Sequence, residues 1–440
     1  MKYFQFLDTD FYQIAMSFMY VYTNNNNKCG FEGFARHIKE PVNHNKDFYI
    51  FDGETEVHNY ISNIRKEFQD PQLIETIIEI IEPKIKNISN KRNIIQQFRQ
   101  NWNNIDFNFE YNVVKNGTKV FPYIPVFQFS GNIMIGQMIE TYVTNIYNGK
   151  TGIKTIEYLK NNDNTYSISD DDFKYIYGVV HDEQNAMNIY KNKLIEKAKE
   201  FRNSTKSILL EAGFRRAPSK IAANLASIIA IQSGWNGTSN VGVGMNDDVS
   251  FNYINGTMAH AFVMSFENEK EAFETWNQVF PNTTFLIDTY NVYNAMNIIK
   301  GMDFNDVRID SDPIEDYVIA FKKEFPNNGI FVSGDMTPER LIELDKLGIT
   351  KSMAGTKYVY PDEIIEKVNC GFVYKLVQFT KDNKTFYPEK TSNGKKSYSG
   401  LKKVVFNEKD NTIIVTNKNN EFGFFNIENS NKNTKVFFNI

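Results

Sequence analysis

The alternation of hydrophobic and polar positions separates the chain into three regions. Residues 1–130 open with a helical pattern, continue with a predicted strand over residues 30–36, and contain further helical stretches around 53–103. Residues 131–360 repeat short β-rich runs, most of which lead into a helical pattern. Residues 361–440 alternate apolar and polar positions in segments such as FVYKLVQF and TIIVT, which is typical of antiparallel strands packed on one side. We therefore predict an α/β protein with an N-terminal α+β domain, a middle α/β domain and a C-terminal β-rich segment.

The β-rich runs of the middle region end in small or polar residues at intervals of roughly 20–28 residues, close to the ~30-residue repeat of a (β/α)8 barrel. In such barrels the carboxyl ends of the strands gather on one face and form the active site. The pattern predicts that seven polar residues surround one mouth: Glu211, Ser239, His260, Asp288, Asp310, Asp335 and Thr356.

Composition narrows the class of protein. The 440 residues carry a formal net charge of −4, so no global basic excess favours nucleic acid or an anionic membrane as a partner. The two cysteines, Cys29 and Cys370, are too few for a disulfide framework. Asp8 and Asp10 interrupt the N-terminus where a signal peptide needs an apolar run, and no stretch of about 20 apolar residues occurs. We expect a cytoplasmic protein without a membrane span.

Two glycine turns follow late strands of the predicted barrel. One is Ser333-Gly334-Asp335, which precedes a good helix start, and the other is Ala354-Gly355-Thr356. Such turns can hold a phosphate with backbone N–H groups, and barrels often place a phosphate after strands 7 and 8. Taken singly, each turn is also typical of an ordinary loop.

Four side chains in this region have both a chemical and a structural interpretation. Asp288 and Asp310 follow apolar runs and suit ribose hydroxyls, magnesium or a histidine, but also a helix cap. His260 lies in an apolar run, where a core histidine is equally expected. Arg215 follows an aromatic residue and suits a flat anionic ring, although a surface arginine is the commoner case.

Taken together, these motifs resemble those of the nicotinate phosphoribosyltransferase family, among the type II phosphoribosyltransferases, and more distantly nicotinamide phosphoribosyltransferase. The resemblance covers most of the chain. Its motifs, in the order of the family, are TDFYQ from Thr9, EAGFRRA from Glu211, NGTSNV from Asn236, GTMAH from Gly256, DTY from Asp288, VRIDS from Val307, VSGD from Val332, GT from Gly355 and VYKLV from Val373.

The resemblance implies a fold and a reaction. The fold is an irregular (β/α) barrel over residues 131–360, with an N-terminal domain, residues 1–130, that is completed by strands from residues 361–440. The reaction joins nicotinate to phosphoribosyl pyrophosphate with release of pyrophosphate. It requires Mg²⁺ and is coupled to hydrolysis of ATP through a phosphorylated histidine. The family also implies a homodimer with active sites shared between subunits.

The resemblance assigns roles to individual residues. His260 would be phosphorylated and oriented by Asp288, while Asp310 would hold ribose hydroxyls beside Arg308. The 5′-phosphate would bind at the two glycine turns, through Gly334, Asp335, Gly355 and Thr356.

The remaining roles concern the pyridine ring and the other phosphates. Phe214 and Tyr12 would sandwich the ring, with Tyr12 arriving from the partner subunit, and Arg215 would lie near the ring carboxylate. Cross-subunit contacts to pyrophosphate or to ATP are implied for three basic residues: Arg36, Lys390 and Lys396.

One position separates the acid from the amide as substrate. The nicotinamide enzyme has an aspartate where this chain has Ser239, and an anionic acceptor there would disfavour nicotinate. We therefore expect nicotinate. The family motif R-x-D-S-G-D lacks its glycine here, since Asp312 and Pro313 follow Ser311. Two alternatives remain: a nicotinamide phosphoribosyltransferase, and a catalytically idle homologue that only binds nucleotide.

Overall fold

The computed structural model describes residues 1–37, 48–388, 398–407, 412–416 and 422–426. The helices of these segments are α1 Phe11–Tyr22, α2 Glu54–Glu67, α3 Gln72–Ile81, α4 Lys91–Trp102, α5 Ile133–Met138, α6 Glu140–Asn162, α7 Asp170–Val180, α8 Gln184–Asn203, α9 Lys220–Gln232, α10 Val241–Met245, α11 His260–Met264, α12 Glu269–Val279, α13 Val292–Ile299, α14 Ile314–Glu324, α15 Pro338–Lys346, α16 Thr356–Val359 and α17 Glu363–Glu366.

The strands are β1 Lys28–Ala35, β2 Tyr49–Ile50, β3 Glu110–Val113, β4 Lys119–Val120, β5 Phe127–Asn132, β6 Ile208–Glu211, β7 Gly237–Thr238, β8 Thr284–Leu286, β9 Asp306–Ile309, β10 Gly329–Val332, β11 Lys351–Ala354, β12 Phe372–Lys381, β13 Lys384–Phe386, β14 Lys403–Asn407, β15 Thr412–Thr416 and β16 Phe422–Asn426. The last three form an antiparallel sheet of their own.

The barrel region is a parallel sheet of six strands in the order β7-β6-β11-β10-β9-β8. The runs SILL, TTFLI and GIFV become β6, β8 and β10, because short apolar runs bounded by turn residues suit strands buried on both faces. Helices α9 and α12 to α15 connect these strands. The predicted α/β class with a parallel barrel sheet is confirmed.

The N-terminal domain is completed by the C-terminal part of the chain. Strand β1 pairs antiparallel with β12 on one side and with β5 on the other, in a five-stranded sheet of order β13-β12-β1-β5-β3. A buried ion pair reinforces this join, since Lys402 Nζ lies 2.6 Å from Glu32 Oε2 on β1. The predicted completion by C-terminal strands is therefore also confirmed.

Two details differ from the predicted pattern. Helices α5 to α8 stand between β5 and the first barrel strand, which begins only at Ile208, so the boundary at residue 131 stays a prediction. The apolar run around His260 suggests a β-rich segment, yet His260 is the first residue of helix α11. A short apolar run cannot be told from a buried helical turn by periodicity alone.

Candidate active site

A cavity of about 420 Å³ lies between the N-terminal sheet and the carboxyl ends of the parallel strands. Its volume is within the range of small-molecule sites, roughly 300–1,000 Å³. The wall includes residues that follow β6, β9, β10 and β11, together with residues of β1 and β12. Ten of the predicted site residues line it: Tyr12, Arg36, Arg215, His260, Arg308, Asp310, Gly334, Asp335, Gly355 and Thr356. Segments that are some 350 positions apart in sequence therefore meet in one cavity.

Three predicted residues that the structure describes are not on this wall. Phe214, Ser239 and Asp288 are buried behind it, with exposed fractions of 1%, 2% and 2%. Lys390 and Lys396 lie outside the described residues, so their predicted phosphate contacts stay predictions.

The two glycine turns stand side by side, because β10 and β11 are neighbours in the sheet. Gly334 has φ +94° and is followed by Asp335 at φ +45°, which reverses the chain directly after β10. A Cβ atom on Gly334 would lie 2.6 Å from the Asp310 carbonyl oxygen, and one on Gly355 would lie 2.7 Å from the Ala212 carbonyl oxygen. Both positions therefore require glycine, since the turns press against neighbouring strand ends.

His260 is held by residues that follow the neighbouring strands. Its Nδ1 lies 3.1 Å from Thr289 Oγ1, and its Nε2 lies 3.6 Å from Asp310 Oδ2. The predicted orientation by Asp288 needs correction, because Asp288 Oδ2 instead accepts a hydrogen bond of 3.1 Å from the backbone N–H of Asp310. Asp288 thus fixes the backbone of Asp310, and Asp310 and Thr289 contact the imidazole.

Asp310 and Arg308 occupy the wall between His260 and the Gly334 turn. Ser333 Oγ donates to Asp310 Oδ1 at 2.7 Å, and Arg308 Nη1 donates to Thr257 Oγ1 at 2.8 Å. Arg308 Nε is buried without a hydrogen-bond partner, and burial lowers the pKa of this guanidinium. Where the family motif has glycine, Asp312 lines the cavity and pairs with Arg340, and Pro313 stands where the motif has its last aspartate.

In another part of the cavity wall, Tyr12 and Arg215 are in contact. Arg215 Nη1 donates to Tyr12 Oη at 3.1 Å and to Glu140 Oε1 at 2.9 Å. The nearby phenol and the Glu140 carboxylate raise the pKa of Arg215. Burial raises the pKa of Tyr12 well above its ordinary value.

Tyr12 lies on the cavity wall of its own chain, and its predicted contribution to a partner subunit's site stays a prediction. The backbone of residues 9–11 pairs with the segment after β7, where Phe11 N–H donates to the Ser239 carbonyl at 2.6 Å and Val241 N–H donates to the Thr9 carbonyl at 3.0 Å. These bonds place Tyr12 in the cavity of its own chain. Arg36, expected from the partner as well, also lines the cavity of its own chain, at the end of β1.

Phe214 does not provide a face for a ring. Its side chain lies in the core, and the cavity wall after β6 is formed by Ala212 instead. The aromatic wall comes from the N-terminal sheet, where Phe31 and Tyr374 stack at 4.8 Å and both line the cavity. The motif around Phe214 does not predict that other aromatic residues line the cavity. The geometry of the turn after a strand decides which of its side chains faces inward, and the motif does not show that geometry.

Ser239 is hydrogen-bonded to Asp10, a residue that the sequence pattern does not predict in the site. Its hydroxyl donates to Asp10 Oδ1 at 2.5 Å, and Thr141 Oγ1 donates to Asp10 Oδ2 at 2.8 Å. Asp10 is buried and lines the cavity, and burial raises its pKa. The sequence interpretation considered position 239 alone, whereas the structure places the Asp10 carboxyl group on the cavity wall beside Ser239. The TDFYQ motif contains Asp10, but its neighbour Tyr12 has the more obvious ring chemistry.

Helix α6 positions the loop that carries Arg215. Asn145 Nδ2 donates to the carbonyls of Phe214 and Ala217, both at 2.9 Å, and Asn148 Nδ2 donates to the Arg215 carbonyl at 2.8 Å. Glu140 lies on the same helix. Polar residues at helical spacing are usually solvent-exposed, so no sequence signal indicates that this face is buried.

Glu211 is also absent from the cavity, although the barrel pattern predicts it at the mouth. It is fully buried and accepts hydrogen bonds from the hydroxyls of Ser227 (2.8 Å) and Thr238 (2.6 Å) and from Gly213 N–H. Burial raises its pKa to about 7. It ties β6 to β7 and α9 beneath the site.

Comparison with known proteins gives a consistent result. No family model matches the chain. It is 26% identical over 309 residues to nicotinate phosphoribosyltransferase of Bacillus subtilis, covering 66% of this chain and 54% of that protein. It is 28% identical over 211 residues to nicotinate phosphoribosyltransferase pncB2 of Mycobacterium tuberculosis, covering 44% and 43%. The match thus spans about half the length of these curated relatives.

Two solved structures share the fold. Nicotinate phosphoribosyltransferase from Porphyromonas gingivalis has a TM-score of 0.59 at 18% identity, covering 90% of this chain and 97% of the other. A putative nicotinate phosphoribosyltransferase from Saccharomyces cerevisiae has a TM-score of 0.62 at 16% identity, covering 90% and 95%. The chain is thus similar to nicotinate phosphoribosyltransferases in sequence and has their fold. The family resemblance read from the sequence motifs is thereby confirmed, while the role of each site residue stays a prediction. No helix in the described segments of this chain is long and apolar enough to cross a membrane.

Proposed function

We propose that this protein is a nicotinate phosphoribosyltransferase, which forms nicotinate mononucleotide and pyrophosphate from nicotinate and phosphoribosyl pyrophosphate in NAD biosynthesis. The observation that carries this proposal is the composition of the cavity described above. The wall combines Asp310 and two glycine turns with Arg215 and aromatic side chains. The first set suits a sugar phosphate, and the second set suits a flat anionic ring.

The geometry supports a substitution at C1 of the ribose. The bond from C1 to the pyrophosphate oxygen breaks, positive charge develops on the ribose, and the lone pair of the pyridine nitrogen forms the new bond to C1. Asp310, at the end of β9, is suited to hold the ribose hydroxyls, and the turns at Gly334 and Gly355 to hold the 5′-phosphate. Arg215 orients the ring, and such positioning of both reactants supplies a large part of the rate.

Magnesium would be held largely by the substrate. No group of three or more His, Cys, Asp or Glu side chains that could hold a metal occurs among the described residues. Mg²⁺ commonly binds one or two carboxylates together with substrate phosphates, and Asp310 and Asp335 on the cavity wall fit that donor set. When bound, the ion would neutralise charge on the leaving pyrophosphate.

We further propose that hydrolysis of ATP is coupled to the transfer through a phosphorylated His260. The imidazole lies in the cavity wall with 14% of its side chain exposed, held by Thr289 and beside Asp310. These neighbours fix the ring next to the groups assigned to ribose and phosphate. A homodimer stays a prediction that size-exclusion chromatography with light scattering would test, since Tyr12 and Arg36 reach the cavity within one chain.

A second candidate, nicotinamide phosphoribosyltransferase, is favoured by Asp10. A carboxylate on the cavity wall near Arg215 could accept a hydrogen bond from an amide N–H, which nicotinate lacks. We place nicotinate first because Arg215 is suited to pair with its carboxylate and because the matched relatives are nicotinate phosphoribosyltransferases.

The test is an assay of purified protein with phosphoribosyl pyrophosphate, Mg²⁺ and either nicotinate or nicotinamide, with and without ATP. Mononucleotide is quantified by chromatography. We expect product from nicotinate and a higher yield and apparent substrate affinity with ATP. Product from nicotinamide alone would support the second candidate, and no product from either base would identify a catalytically idle homologue.

A further inference from the structure

Arg215 uses only one of its nitrogens to bind protein groups. Both of its side-chain hydrogen bonds, to Tyr12 and to Glu140, are made by Nη1, and Nε and Nη2 make none with the described residues. The guanidinium is nevertheless a rigid fork whose other edge suits two parallel hydrogen bonds to a carboxylate. The edge that is available to a substrate therefore depends on how Nη1 is held.

Glu140 is itself fixed from behind. Its Oε2 accepts hydrogen bonds from Gln13 Nε2 at 2.7 Å and from Gln137 Nε2 at 3.4 Å, and the two glutamine side chains bond to each other. Both glutamines have no exposed surface, and Glu140 is 7% exposed. Buried side-chain amides of α1 and α5 thus fix the orientation of the Glu140 carboxylate, independently of its contact with Arg215.

We infer that Glu140 is a positioning residue for base recognition, which holds Arg215 so that its Nε and Nη2 edge receives the carboxylate of the pyridine substrate. This inference rests on the proposed function. Glu140 also offsets one of the positive charges in the cavity, so its contribution is orientation rather than attraction of the anion. Removing Glu140 should raise the KM for nicotinate if orientation matters, and should lower it if only the negative charge matters. The sign of the change therefore tests the inference.

If Glu140 orients Arg215, Glu140→Ala raises the KM for nicotinate by about 30-fold, because the guanidinium loses its fixed partner. The KM for phosphoribosyl pyrophosphate changes less than about twofold, since its ribose and 5′-phosphate are assigned to Asp310 and the glycine turns rather than to Arg215. Glu140→Gln keeps an acceptor for Nη1, and we expect it to restore the KM for nicotinate to within about fivefold of the wild type.

A matched control lies on the same helix. Glu157 forms an exposed pair with Lys154 on α6, so Glu157→Ala should leave both KM values unchanged. If Glu140→Ala does not fold, Gln13→Ala serves instead, because it removes the shorter of the two hydrogen bonds to Glu140 Oε2 without changing the charge. We expect it to raise the KM for nicotinate by about fivefold.

The outcomes separate this inference from the proposed function. A wild-type protein that makes no nicotinate mononucleotide would overturn the proposed function and this inference with it. An active wild type whose Glu140→Ala variant has an unchanged or lower KM for nicotinate would overturn the inference alone. An equal rise in both KM values would indicate a merely structural role for Glu140 and would also overturn it.

Discussion

The two parts of the cavity wall, here termed the phosphate end and the base end after the groups assigned to them, are built in different ways. The phosphate end consists of residues that directly follow β9, β10 and β11, and its shape comes from backbone turns such as the one at Gly334. The base end brings together Asp10, Glu140 and Arg215, which are far apart in sequence and belong to three different parts of the chain. One end is a property of the parallel sheet, and the other arises only when the N-terminal domain packs against that sheet.

This difference indicates how each end can change. Backbone turns are constrained by sterics, so a substitution there alters the site abruptly. Side-chain networks such as Asp10 with Ser239 and Thr141 can be altered one hydrogen bond at a time. We therefore expect phosphate binding to be intolerant of change and base selectivity to be adjustable.

The largest effect is expected at the phosphate end. Gly334→Ala places a Cβ atom 2.6 Å from the Asp310 carbonyl at φ +94°, which forces the turn to move, and kcat/KM for phosphoribosyl pyrophosphate should fall by about 100-fold or more. Gly301→Ala is the matched control, since Gly301 has φ +84° and a methyl group there would meet no atom within 4 Å. Gly301→Ala should lower the Tm as Gly334→Ala does, because both place alanine at a positive φ, but it should keep full activity. Equal activity of the two variants would contradict the assignment of the Gly334 turn to phosphate.

The second effect concerns His260, which lies at the phosphate end and is proposed to couple hydrolysis of ATP to the transfer. His260→Ala should abolish hydrolysis of ATP that depends on nicotinate and phosphoribosyl pyrophosphate, and should leave ATP-independent transfer, with an overall rate loss of about tenfold. Phosphate release and mononucleotide formation are measured in the same reaction. Full ATP-coupled activity in this variant would refute the role of His260.

The sequence was informative for the phosphate end and much less so for the base end. Strand ends and glycine turns are local, so Asp310, Gly334 and Gly355 could be placed on one cavity from the periodicity of the chain. Base recognition depends on which side chains, Glu140 and Phe214 among them, face inward. That choice follows from long-range packing of α6 on the loop after β6, and no local pattern reports it.

The third effect tests the base end directly. Asp10→Asn removes a carboxylate from the wall near Arg215 while keeping its size, so the ratio of kcat/KM for nicotinate to that for nicotinamide should rise by about tenfold. Ser239→Ala removes one hydrogen bond to Asp10 but leaves its charge, and should shift the ratio by less than about threefold. A larger shift for Ser239→Ala than for Asp10→Asn would support the sequence-based interpretation, in which Ser239 itself decides between acid and amide.

The smallest effect concerns Glu211, which supports the base end from below through Thr238, the neighbour of Ser239. Its pKa is raised to about 7 by burial, above the ~4.3 expected in the unfolded chain, so the folded protein binds the extra proton between these values. Stability from this group is therefore complete below about pH 4 and is lost as the pH rises towards 7. Glu211→Gln lacks this titration, so its Tm relative to the wild type should increase by about 1–2 °C between pH 5 and pH 8. A difference in Tm that is constant across this range, measured by scanning calorimetry, would show that Glu211 is already ionised in the folded protein, and that the segment carrying Ser239 is anchored by a charge.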